Sequence, residues 1–220
     1  MSNAKAVLTG LDALLTPKDH VLLLIDHQPQ MAFGVTSHDR QTILNNVVAL
    51  AKSARAYEVP TILTTIGAKG FSGALFEEIR RVFPEHDPID RTTMNTWEDP
   101  RVVAAVKKTG RKKVVMAGLW TEVCLAYPVL SALGEGFDVY FVADASGGCT
   151  KESHDLGVQR MVQAGAVPLT WIVYLAELQR DHARKATAER MYQIAEEHGG
   201  AYGLGIQYYK SVATTGASKA

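Results

Sequence analysis

Short apolar runs alternate along the chain with stretches in which apolar residues recur every three or four positions. This is the pattern of parallel strands covered on both faces by crossover helices. The runs near 21–26, 60–66, 113–118, 137–143 and 166–171 predict strands. Between the first two, Ile43, Leu44, Val47, Val48, Leu50, Ala51 and Ala54 recur at helical spacing, and Pro60 marks the return to strand. A second strand and helix unit runs from Pro100 to Lys108, where Pro100 suits a first turn and Gly110 a stop, into the run 113–118. The stretch 67–98 is rich in turn residues around one short helix near Gly73 to Val82, with an edge strand near Pro88 to Arg91, and reads as functional loop. Residues 173–198 read as helical, broken around Asp181, with Leu175, Leu178, Ala183, Ala186, Met191, Ile194 and Ala195 as apolar positions. The expected architecture is α/β: a doubly wound, mostly parallel sheet of five to six strands with helices on both faces. One domain is expected over 1–220, with a helical C-terminal extension from about 173. That extension has no evident place in a sheet-centred core, so it predicts packing against another subunit and a homo-oligomer.

Charge removes several function classes. Lys plus Arg equals Asp plus Glu at 23 each, so no overall field attracts nucleic acid or an anionic membrane. No apolar run approaches the roughly 20 residues of a membrane span. Met1 to Gly10 carries no sustained apolar stretch with a cleavage site, which argues for a cytoplasmic protein. In that compartment Cys124 and Cys149 are expected to stay free thiols. Both ends, Ser2-Asn3-Ala4 and Thr214 to Ala220, are expected to add little to the core.

In an open parallel sheet, ligands bind beyond the carboxyl ends of strands, where the strand order reverses. Asp26 closes the run Val21-Leu-Leu-Leu-Ile25, and Cys124 lies just past the run ending at Gly118. If these two strands are central neighbours, a carboxylate and a thiol open into one crevice. Thr121-Glu122-Val123-Cys124 also reads as a helix start, with Thr121 as N-cap and Cys124 in the first turn, where free amides favour a thiolate. Cys149, in the glycine-rich Ala145-Ser-Gly-Gly-Cys-Thr150, is a further mouth residue or a small buried apolar one. The histidines are scattered without ligand spacing, and His27, His154 and His182 read as surface or supporting groups, so no metal is expected. The glycines form no GxGxxG after a strand, so no dinucleotide or other cofactor is implied. Trp97, Trp120 and Trp171 are core or pocket aromatics, and Trp120 lies inside the thiol-bearing segment.

Separated segments of the chain together carry a resemblance. Val21-Leu-Leu-Leu-Ile-Asp-His-Gln28 and Ala117-Gly-Leu-Trp-Thr-Glu-Val-Cys124 resemble the Asp-x-Gln strand and the Gly-x-x-Thr-x-x-Cys segment of the isochorismatase-like cysteine hydrolases. Val142 to Gly147 and Met161 to Ala166 are similar to that family's fifth strand and last crossover, and Asn95-Thr-Trp97 is similar to its YcaC-like branch. The resemblance implies that Cys124 is the nucleophile, that Asp26 is the general base, and that the backbone amides of Trp120 and Cys124 stabilise an oxyanion. Arg91 stands where the wider family has a lysine, and it can hold Asp26 ionised but cannot relay protons. Gln28, Trp97 and Trp120 become candidates for the substrate pocket. Nicotinamidases of this fold carry an Asp-x-His metal cluster where this chain has Thr64-Thr-Ile-Gly-Ala-Lys-Gly70. Tetramers or octamers, and a cis peptide between Leu119 and Trp120, are further implications. The function implied is metal-independent hydrolysis of a small amide, ureido or related acyl compound through a thioester. The alternatives are a non-catalytic oligomeric ligand-binding relative with a degenerate triad, and an isochorismatase-type vinyl-ether hydrolase, which needs no cysteine.

Overall fold

Every residue of the run from Val21 to Ile25 is buried, because a parallel strand in mid-sheet meets helices on both faces. This is β1 (His20–Ile25). In the computed structural model, which describes residues 9–217, it is joined by β2 (Thr61–Ile66), β3 (Ile89–Arg91), β4 (Lys113–Gly118), β5 (Asp138–Val142) and β6 (Val167–Leu169). All neighbours pair in parallel, in the order β3-β2-β1-β4-β5-β6. The expected strands and the short edge strand are therefore all present, and the sheet is wholly parallel. The order reverses between β1 and β4, which are paired neighbours as anticipated. Readings made on residues 1–8 and 218–220 lie outside the described residues.

Alternation along the strands divides the core in two. Val21, Leu23, Ile25, Val114 and Met116 pack against α4 (Pro100–Lys108), α5 (Ala126–Gly134) and α6 (Lys151–Gln163). Leu22, Leu24, Val115 and Ala117 face α2 (Arg40–Ala56), α7 (Trp171–Gln179) and α8 (Lys185–His198). Two short helices, α1 (Pro29–Phe33) and α3 (Glu77–Val82), follow β1 and β2. The helix expected near Gly73 starts only at Glu77. Gly73 has φ +75°, and the Phe76 N–H is tied to the His27 carbonyl at 2.8 Å, so this segment is pinned to the end of β1 instead of coiling.

The C-terminal region corrects the reason given for association. Leu175, Leu178, Met191, Ile194 and Ala195 are all buried, and all but Ala195 belong to the core cluster of α2 and β1, so α7 and α8 belong to the chain's own core. A run of uncovered apolar side chains lies one element later, on α9 (Ala201–Ala217), a helix that the sequence reading missed. Tyr202, Leu204, Tyr208, Tyr209 and Val212 are exposed on it. Its one charged residue, Lys210, is paired with Glu196. Among the described residues no helix is long and apolar enough to cross a membrane.

Candidate active site

The backbones of β1 and β4 run tightly side by side at their carboxyl ends. Ile25 pairs with Gly118, and a Cβ at Gly118 would stand 2.9 Å from the Ile25 Cβ, so only glycine fits there. One residue on, Asp26 has φ +57°, a left-handed conformation that asparagine and aspartate tolerate better than other side-chain-bearing residues. It is held by Asp26 N–H to Thr64 O at 3.1 Å and by Gln28 N–H to Asp26 O at 2.8 Å. The turn carries the carboxylate over the end of the sheet, where it is fully buried.

From β4 the chain passes through a cis Leu119–Trp120 peptide, as the resemblance implied, into one π-helical turn, Thr121–Leu125, ahead of α5. The Leu125 N–H bonds the Trp120 carbonyl at 3.2 Å, five residues back. Thr121 is not the N-cap. That position falls to Trp120, and the Thr121 hydroxyl pairs with His154 Nδ1 at 2.8 Å. The turn delivers Cys124 to Asp26, with the thiol in hydrogen-bond contact with the carboxylate and the Trp120 N–H directed at the sulfur.

Arg91 ends β3 and closes the group from the other side. Its Nη2 donates to Asp26 Oδ2 at 2.5 Å, its Nη1 donates to the Thr93 carbonyl, and the Thr64 hydroxyl donates to Asp26 Oδ1 at 3.3 Å. The neighbouring Asp90 turns its carboxylate elsewhere, with Oδ1 accepting from the Thr65 hydroxyl and the Ala68 N–H. Asp26 is 0% exposed, and Arg91 and Cys124 are each 3% exposed, so water screens none of these charges. Burial pushes the Asp26 carboxyl up, against the pull of Arg91, Cys124 and Thr64. Burial and the Asp26 charge push the Cys124 thiol up to about 12. This opposes the stabilised thiolate expected from a helix start, so an attack by this sulfur would need a base to take its proton.

Other residues singled out by the sequence take different places. Gln28 is fully buried with its amide spent on backbone: Nε2 donates to Ile66 O and Gly73 O, and Oε1 accepts from Ile66 N–H at 2.8 Å. It positions β1 against the 67–76 loop. Trp97 is anchored past the far end of α5, where Nε1 donates to Glu135 at 2.9 Å and the ring meets Phe137 edge-on, away from the crevice. Trp120 stays at the site. Its Nε1 donates to Met31 O at 2.8 Å, and Gly34 lies against its ring, where a Cβ would come within 2.7 Å. Trp171 is a core residue capped by Asp144. His27 is fully buried and donates from Nε2 to Ala145 O, and burial lowers it to about 4. His154 is buried beside Thr121, whereas His182 stacks on Tyr192 at the surface. Cys149 is half-buried, and its thiol and N–H both meet Glu122. Thr64 and the Thr93 carbonyl were missed. Thr64 was findable as a polar residue at the carboxyl end of the strand next to β1.

A groove of about 920 Å³ lies among Arg55, Pro60, Phe83 and Arg190 at the amino end of β2, the opposite edge from Asp26. In an open parallel sheet that edge lies away from the crevice at the carboxyl ends of the strands, where ligands bind. Among the described residues no group of three or more His, Cys, Asp or Glu side chains is placed to hold a metal ion.

Comparison with known proteins gives concordant matches. The isochorismatase domain model matches residues 20–173. The probable hydrolase YcaC of Escherichia coli K12 is 41% identical over 168 residues, covering 76% of this chain and 81% of that protein. The structure of YcaC from Pseudomonas aeruginosa with hexane-2,5-diol and covalent acrylamide aligns with a TM-score of 0.86 at 39% identity, over 90% of this chain and 97% of that one. The E. coli YcaC structure, described as an octameric hydrolase of unknown specificity, aligns with a TM-score of 0.86 at 36% identity, over the same shares. Nicotinamidase from Bacillus subtilis shares the fold at 13% identity, with a TM-score of 0.61 over 68% of this chain and 98% of that one.

Proposed function

Because the chain belongs to the isochorismatase family of hydrolases, we propose that it is a metal-independent cysteine hydrolase of a small amide, ureido or related acyl compound. The carrying observation is that one buried carboxylate, Asp26, holds both the Cys124 thiol and the Arg91 guanidinium. In this reading Asp26 takes the thiol proton as Sγ bonds the acyl carbon and the carbonyl electrons move to oxygen. The Trp120 and Cys124 amides receive that oxyanion. Its collapse breaks the bond to nitrogen, and the leaving amine takes the proton from Asp26. Water then gives a proton to Asp26 and attacks the thioester, and Cys124 leaves and is reprotonated.

The raised carboxyl of Asp26 supports the role of base, since a carboxylate that binds its proton more tightly is better matched to a thiol. Arg91 would keep the pair ionised without exchanging a proton. The covalent acrylamide in the description of the Pseudomonas aeruginosa relative accords with a nucleophile in this fold. Association into a homo-oligomer belongs to the same reading: the E. coli relative is described as octameric, and α9 offers an apolar surface. The test is ammonia release from a panel of small amides and ureido compounds. Turnover that Cys124→Ala abolishes and added chelator leaves unchanged supports the reading. Turnover that survives in Cys124→Ala, or none on any panel member, contradicts it.

A further inference from the structure

Arg91 spends only part of its donor set. Nη2 is on Asp26 and Nη1 on the Thr93 carbonyl, while the buried Nε–H has no protein partner among the described residues. The whole side chain is closed to solvent, so this donor is neither hydrated from bulk nor shared with a second carboxylate. A guanidinium is a rigid plane, which fixes the Nε–H, on the nitrogen linking Cδ to Cζ, in the same plane as the Nη2 that holds the acid. A donor left bare in a buried site is costly unless something arrives to use it.

Charge accounting says what arrives. At rest, Arg91 is a cation, Asp26 an anion and Cys124 a neutral thiol. As Cys124 gives its proton to Asp26 and bonds the acyl carbon, the negative charge leaves the carboxylate and comes to rest on the acyl oxygen. The arginine keeps its proton throughout. The buried cation has then lost its counter-ion to a group a few atoms away. A point charge would have to choose between the neutralised acid and the new anion, whereas two donors on one plane can face both.

We propose that Arg91 follows this charge, with Nη2 staying on Asp26 while Nε–H donates to the acyl oxygen of the tetrahedral intermediate. Arg91 is then a catalytic residue in contact with the reacting atoms, a side-chain donor joining the two backbone amides. The proposal rests on the cysteine hydrolase reading.

The test compares two reactions of the same thiol in single turnover: acylation by 4-nitrophenyl acetate and alkylation by iodoacetamide, both mapped on the Cys124 peptide. Both take the proton from sulfur, and only acylation places charge on an acyl oxygen. Arg91→Lys keeps a cation beside Asp26 but loses the coplanar second donor. The ratio of acylation to alkylation is expected to fall on the order of a hundredfold, the size of losing one oxyanion donor. A second arm uses Arg91→Ala supplied with guanidinium or methylammonium, where guanidinium restores acylation and methylammonium does not. Equal losses in both reactions, or equal rescue by both cations, overturn the proposal and leave Arg91 acting only through Asp26. Wild-type protein that forms no acetyl adduct on Cys124 overturns the hydrolase reading as well.

Discussion

Burial pushes the Cys124 thiol up to about 12 and the Cys149 thiol up to about 11, and a carboxylate stands beside each. Resting acidity therefore does not single out Cys124, and Cys149 is the more accessible of the two. What differs is the carboxylate. Asp26 is ion-paired with Arg91, faces the thiol, and can take its proton while the arginine balances the site. Glu122 is held by the Cys149 N–H through Oε1, and among the described residues it has no ion-pair partner and its buried Oε2 has no hydrogen bond. In the proposed reading a usable thiol is made by a base and a counter-ion placed together, and a low resting pKa is not required.

The comparison breaks most visibly at the sulfurs themselves. Cys124→Ala is expected to lower acyl turnover by at least about 10³-fold, the scale of losing a covalent nucleophile, and Cys149→Ala to leave it within about twofold. Steady-state rates on an activated ester check both. Asp26→Asn comes next. It removes the base, for a rate loss of about 10²–10⁴-fold. It also leaves Arg91 buried without a counter-charge, at a cost of about 3–5 kcal/mol, which thermal or urea unfolding would register. Unchanged stability in that variant would mean that Arg91 finds another partner.

The pH dependence separates the two thiols more finely. Acylation of Cys124 needs ionised Asp26, whose carboxyl is pushed above its usual 3.8, so activity falls as pH drops through that raised value. Toward neutral and alkaline pH it stays flat, because the thiol remains protonated until near 12. Alkylation of Cys149 should instead climb about tenfold per pH unit toward its value near 11, since only its thiolate reacts. Parallel profiles for both sites would erase the distinction. The smallest effect is at Glu122→Gln. Removing that charge lets the Cys149 thiol ionise more easily, and its alkylation at pH 8 should rise by about threefold to tenfold, roughly half a pKa unit to one.

The sheet was legible because buried parallel strands are short unbroken apolar runs, and the β1–β4 reversal followed from how such sheets wind. Asp26 and Cys124 were picked out by their places at and just past strand ends, and Arg91 by the resemblance alone; the structure brings the three side chains together. The electrostatics were not legible. That Asp26 would counteract a helix-start effect on Cys124 depends on burial and on a π-turn no periodicity reveals. Gln28 and Trp97 looked like pocket residues by motif, yet each is consumed by contacts distant in sequence, to Ile66 and Gly73 and to Glu135. Apolar positions in 173–198 look surplus in one dimension because only the fold shows that α2 and β1 leave a face for them.

The central claim is that Cys124, served by Asp26 and Arg91, forms a covalent acyl intermediate. Its most direct test is intact and peptide mass after rapid acid quench of the protein incubated with a panel of small amides. The account predicts an acyl adduct on the Cys124 peptide that builds and decays with turnover and is absent in Asp26→Asn. Turnover with no adduct at any time, or with the adduct on Cys149, would contradict it.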